Sequence, residues 1–157
     1  MSPARVAIFD TNVLLLWLVL RVDIGLLRNF KRVRSFTVED AQLLWSLATS
    51  FAAIVATPHV LSQTSDFVEQ APDYRRPALI EALRSFIAEH NEWYEEARLL
   101  CGLDQFQSVG LADAGLLSIS GRATVVTADR KLAGQIEGRG GHVINFNHYR
   151  SGQFLDR

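Results

Sequence analysis

The chain has 157 residues, 48% hydrophobic and 21% charged, with 16 Lys and Arg against 17 Asp and Glu and a formal net charge of −1. That length and apolar content suit one domain with a proper core, and the near-zero charge excludes a protein that draws in nucleic acid through a global positive field. A single cysteine, Cys101, excludes an intrachain disulfide framework and reads as a small buried hydrophobe.

Val6-Ala7-Ile8-Phe9 reads as a strand covered on both faces. Asp10-Thr11-Asn12 hands it to a helix from about Asn12 to Leu20 that is apolar almost all round, and so is either buried or covered by a partner. Its run from Val13 to Leu20 is too short to span a bilayer and is closed by Arg21. No small-residue cleavage site follows it, so it does not read as a signal peptide. The expectation is a soluble, cytoplasmic protein without a membrane partner. Next, Arg28, Lys31, Arg32 and Arg34 interleave with Phe30 and Phe36. Two readings stand: a grip on a phosphate backbone with bases stacked on the rings, or a solvated loop whose aromatics tuck into the core.

Thr37 to Asp40 carries helix-capping chemistry, with Leu44, Leu47, Ala48 and Phe51 as the apolar stripe behind it. Ala52 to Ala56 is a second strand, with Thr57 as N-cap and Pro58 at the first helical position of the next helix. On that helix Gln63, Asp66 and Glu69 recur at every third position, roughly along one side. After a break from Pro72 to Pro77, Leu79, Ile80, Leu83, Phe86, Ile87, Tyr94 and Ala97 predict one long amphipathic helix, with His90 as a core residue on its stripe. No second histidine stands at metal-ligand spacing to it, so no zinc site is expected.

Gly102 to Gly110 reads as a loop, and Leu111 to Ser120 as a helix with Asp113 in its first turn, stopped by Gly121. Ala123 to Val126 is a third strand, Thr127-Ala128-Asp129-Arg130 turns it into a helix ending at Gly138, and His142 to Asn145 is a last short strand. No linker or repeat divides residues 1–157. Strands alternating with helices predict a single α/β domain with a mainly parallel sheet.

Asp10 and Asp129 lie just past strand C-termini, and Asp113 opens a helix. In a parallel sheet such strand ends share one rim, where ligands bind. Carboxylates gathered there repel one another unless they hold a proton or a cation, and Mg²⁺ or Mn²⁺ would resolve the conflict and could activate water on a phosphodiester. The plainer alternative is three separate acids that each favour a helix dipole.

Ile8-Phe9-Asp10-Thr11-Asn12-Val13-Leu14, Thr57-Pro58-His59-Val60-Leu61, Gly110-Leu111-Ala112-Asp113-Ala114 and Val126-Thr127-Ala128-Asp129-Arg130-Lys131-Leu132, in that order, resemble a PIN domain. The resemblance covers about Arg5 to Phe146. It implies a three-layer α/β/α sandwich with a central, mainly parallel sheet of four to five strands, and a Mg²⁺- or Mn²⁺-dependent nuclease that cuts RNA. Single-domain relatives are commonly homodimers and the toxin halves of bacterial toxin–antitoxin pairs, so an antitoxin and a second copy are the implied partners.

By the same resemblance Asp10, Asp113 and Asp129 match three of the family's four acids, as metal ligands and orienters of water, with Asn12 and Thr127 as supporting residues. The family's remaining acid, normally a glutamate, falls on Gln63. Glutamine keeps one acceptor but loses the charge. The site is then weakened yet active, or compensated by Asp66 one turn on, or the chain is an inactive PIN-like module that binds RNA or a protein. Arg28, Lys31, Arg32, Arg34 and Arg130 are the candidates for phosphate contacts. A receiver-like signalling domain is the remaining rival; it needs paired acids after the first strand and a Lys after a late one, and neither is found.

Overall fold

The computed structural model describes residues 5–150. Strand β1 (Val6–Phe9) is buried at all positions, so its apolar side chains require cover above and below the sheet. Its neighbours are β2 (Ala53–Ala56) on one side and β4 (Thr124–Thr127) on the other, both parallel, with Ile8 opposite Val55 and Val125. The short β3 (Asn91–Glu92) and β5 (Val143–Asn145) form the edges, giving the order β3-β2-β1-β4-β5 with all strands parallel. Helices cover both faces, making a three-layer α/β/α sandwich.

Helix α1 (Thr11–Val22) is buried continuously from Val13 to Val19, which accounts for its all-round apolar sequence. It packs against α3 (Val38–Ser50), α4 (Pro58–Val68) and α5 (Arg76–Glu89) of its own chain. The cap at Thr37 is a full capping box: the Thr37 hydroxyl accepts from Asp40 N, and Thr37 N donates to the Asp40 carboxylate. Thr57 accepts from Val60 N at the start of α4, with Pro58 in the first turn.

The basic stretch folds into α2 (Leu26–Asn29) and a 3-10 turn (Lys31–Val33). Phe30 and Phe36 are buried, Phe36 edge-on to Phe146 at 6.1 Å, so neither ring is free to stack a base. Burying two aromatics outweighs offering them to solvent. The cations Arg28, Lys31, Arg32 and Arg34 stay exposed.

The long helix expected to reach Ala97 ends at Glu89. His90 turns extended, its Nδ1–H donating to Phe86 O at 2.8 Å and its ring stacking on Phe86, and Asn91 and Glu92 join the sheet beside β2. Pairing with an open strand edge thus overrides helical periodicity. Cys101 is exposed, not buried: it follows the four-residue α6 (Ala97–Leu100), in which Leu100 takes the inward position. Helix α7 (Phe106–Ile119) starts earlier than expected but breaks at Gly110, whose φ of 81° suits glycine alone, so the regular part begins at Leu111. Helix α8 (Arg130–Gly138) leads to β5, and α9 (Phe146–Arg150) follows it. Among the described residues no helix is long and apolar enough to cross a membrane.

Candidate functional site

From β1 the sheet builds outward through β2 to β3, and β4 and β5 then build in the opposite direction. The reversal leaves a crevice at the C-terminal ends of β1 and β4, the place where open parallel sheets bind ligands. Asp10 follows β1 there and keeps the ladder going, its N–H donating to Val126 O at 3.1 Å. Its carboxylate does two jobs. Oδ1 accepts from Val13 N at 2.9 Å as the N-cap of α1, and Oδ2 accepts from the Thr127 hydroxyl across the crevice. Thr127, fully buried at the end of β4, also accepts from Asp129 N at 2.9 Å, so one hydroxyl ties Asp10 to the Asp129 turn. Asp129 caps α8 through Lys131 N and Leu132 N. Thr127→Val should cost about 1–3 kcal/mol, the penalty for a buried group left unpaired, read as a lower thermal midpoint.

A groove of about 200 Å³ opens over this crevice, lined by Asp10, Thr11, Asn12, Arg32, Gln63, Phe67, Asp113 and Asp129. It therefore gathers the three aspartates, Gln63, Asn12 and one cation of the basic stretch. Asp113 reaches it from the first turn after the Gly110 kink. Burial pushes the Asp113 carboxyl up to about 7, with Asp10 and Asp129 adding like charge. Burial likewise lifts Asp10 to about 6, against the opposing hydrogen bonds from Thr127, Val13 and Ala128 and with Asp129 adding to the rise. Groups raised this way in a cleft mark functional sites more often than chance.

Asp66 is exposed and outside the groove lining; Phe67, one residue on, takes the wall. At about 100° per residue the fourth position after Gln63 lies nearer its direction than the third. Arg28, Lys31 and Arg34 are exposed outside the lining, as is Arg130 at the start of α8. Thr11 is a site residue that the motif reading passed over: its hydroxyl donates to Gln63 Oε1 at 2.5 Å. Its place inside Asp-Thr-Asn was the available signal.

The donor set is all oxygen and rich in carboxylate, the chemistry that suits Mg²⁺ or Mn²⁺ and not zinc. The carboxylates share the groove without converging: among the described residues no three His, Cys, Asp or Glu side chains are assembled as a metal site. A larger cavity of about 470 Å³ lies between α1 and α5, lined by Trp17, Arg21, Phe86, Glu89 and His90 among others. It holds neither of the raised carboxylates, so the smaller groove is the better candidate. Neither protein-family models nor curated proteins give a match to this chain.

Proposed function

We propose that the chain is a metal-dependent ribonuclease of the PIN type. The observation that carries this reading is the meeting of Asp10, Asp113 and Asp129 in one groove at the sheet's reversal point, with Asp10 and Asp113 held well above the usual carboxylate range. Asp10, Asp113 and Asp129 would hold Mg²⁺ or Mn²⁺, which when bound supplies an activated water and offsets charge on the phosphodiester. Thr127 fixes the Asp10 carboxylate, and the α1 cap restricts its rotation. Hydrolysis joins the water oxygen to phosphorus as the bond to the leaving ribose oxygen breaks; one water proton passes to a groove carboxylate and the leaving oxygen is protonated from solvent. RNA is the substrate in this reading. A toxin role with an antitoxin, a homodimer and a cytoplasmic setting go with it, and a dimer would use surfaces other than α1, whose apolar run is covered by its own chain.

The test is cleavage of a fluorogenic RNA with Mn²⁺ and with EDTA. Mn²⁺-dependent cleavage supports the reading, and no cleavage at any Mn²⁺ concentration overturns it. A second reading, a module that binds without cutting, draws on Gln63, whose one acceptor oxygen is engaged by Thr11. Gln63→Glu separates the two: metal binding by calorimetry and cleavage gained together by this variant, with none in the parent, favour a disabled nuclease. Gln63→Glu is expected to bind Mn²⁺ about tenfold or more tightly than the parent, since a hard cation gains more from a carboxylate than from an amide.

A further inference from the structure

Gln63 and Arg32 line the same groove and are each held by one side only. The Thr11 hydroxyl fixes Gln63 by its oxygen, which leaves both N–H groups of Nε2 without a hydrogen-bond partner among the described residues. Arg32 lies along the outer face of α4. Its guanidinium carbon stands 3.7 Å from the centre of the Phe67 ring, and its Nε–H donates to Gln70 Oε1 at 2.9 Å. Gln63, Phe67 and Gln70 follow one another at four and then three residues, a single stripe of α4 and the turn that ends it. Arg32 is thus clamped by ring and amide, pairs with no carboxylate among the described residues, and keeps the four N–H groups of Nη1 and Nη2 free. The groove lining is of two kinds: Asp10, Asp113 and Asp129 present acceptors, while Gln63 and Arg32 present donors.

We propose that Gln63 and Arg32 form a phosphate-binding subsite on the α4 side of the groove, which takes the non-bridging oxygens of a nucleic-acid phosphodiester directly, without a divalent cation between them. A planar guanidinium with two free nitrogens matches paired phosphate oxygens, and because Phe67 and Gln70 already fix it, little side-chain freedom is lost on binding. The amide at position 63 is essential to the scheme. A glutamate there would set a fourth carboxylate beside the phosphate; glutamine supplies N–H donors instead. Phe30 and Phe36 are buried, so the grip is on backbone and not on bases. The choice of nucleic acid over other phosphates rests on the ribonuclease reading.

The experiment is fluorescence anisotropy of a labelled single-stranded RNA oligonucleotide in EDTA, where neither metal bridging nor metal-dependent cleavage contributes, with a melting curve to establish that each variant is folded. The parent should bind. Arg32→Ala, Gln63→Leu and Gln63→Glu should each weaken binding by roughly tenfold or more, as expected for a lost hydrogen bond to a charged group, with Gln63→Glu at least as weak as Gln63→Leu. Arg32→Lys should recover only part of the loss, because a point charge replaces a fork. No binding by the parent in EDTA, or binding by folded Gln63→Glu equal to the parent's, overturns the subsite. The same variants assayed with Mn²⁺ keep the two readings apart: cleavage without the EDTA pattern removes the subsite alone, and the EDTA pattern without cleavage removes the nuclease alone.

Discussion

Asp10→Asn should leave the protein folded and lower Mn²⁺-dependent RNA cleavage by about a hundredfold or more, the scale set by several kcal/mol of lost charge stabilisation. The fold survives because asparagine keeps the oxygen that accepts Val13 N–H and is itself a good N-cap. Its other terminus, now a donor, faces the Thr127 hydroxyl, which must turn from giving a hydrogen bond to receiving one. That costs stability, while removal of a buried carboxylate returns some, so the net change should stay within about 1 kcal/mol. Cleavage rates and a circular dichroism melt on the same preparation check both halves. Wild-type cleavage by Asp10→Asn would remove Asp10 from the site.

The metal-free protein should lose stability as pH rises from about 4 to 7. Asp10 titrates near 6 and Asp113 near 7 in the folded protein, against 3.8 for an unperturbed aspartate. Both shifts are upward, so across this window the native state holds protons that the unfolded chain has released, and stability falls with pH. Their stability is intact below about pH 4 and fully lost above about pH 7. For Asp10 alone the displacement amounts to about 3 kcal/mol; Asp113 is only half-buried, and solvent screens part of its share. Asp113→Asn abolishes its own penalty and should raise the melting temperature in EDTA at pH 8 by roughly 3–6 °C for a domain of this size. At pH 4 it should change little. Mn²⁺ should stabilise the parent at pH 8 more than the variant. Equal melting curves for parent and Asp113→Asn at pH 8 would remove the proposed crowding of carboxylates.

Much of this arrangement was legible where local chemistry and tertiary demand agree. Val6–Phe9, Thr57-Pro58 and Asp129 carry strand and cap signals that the fold uses as written. The placement of Asp10 and Asp129 on one rim followed from strand ends, whereas Asp113, which opens a helix, needed the packing of α7 to reach it. Other features depended on partners distant in sequence. Asn91 and Glu92 have no strand propensity and become β3 only because β2 offers an open edge. Tyr94 and Ala97 keep helical spacing with Phe86 yet lie beyond the end of α5. Both basic-stretch phenylalanines look the same in sequence whether they face solvent or core, and packing against residues such as Phe146 decides it. At the site, the choice of Phe67 over Asp66 hangs on a rotation of one helical residue, and the clamp on Arg32 needs Gln70, 38 residues away. A three-residue spacing cannot reveal either.

The pairing of β1 with β4 closes a long stretch of chain. The hydrogen bond between Thr127 and Asp10 joins residues 117 apart, and the ladder beneath it joins Ala7, Ile8 and Phe9 to Thr124, Val125 and Val126. Contacts this remote make folding slow, because closing the intervening chain costs entropy before the pairing rewards it. Asp10 and its helix have no groove to belong to without the residues that follow β4. A fragment that stops short of β4 would carry Asp10 without the Thr127 hydroxyl that holds its carboxylate and without the Asp129 charge beside it.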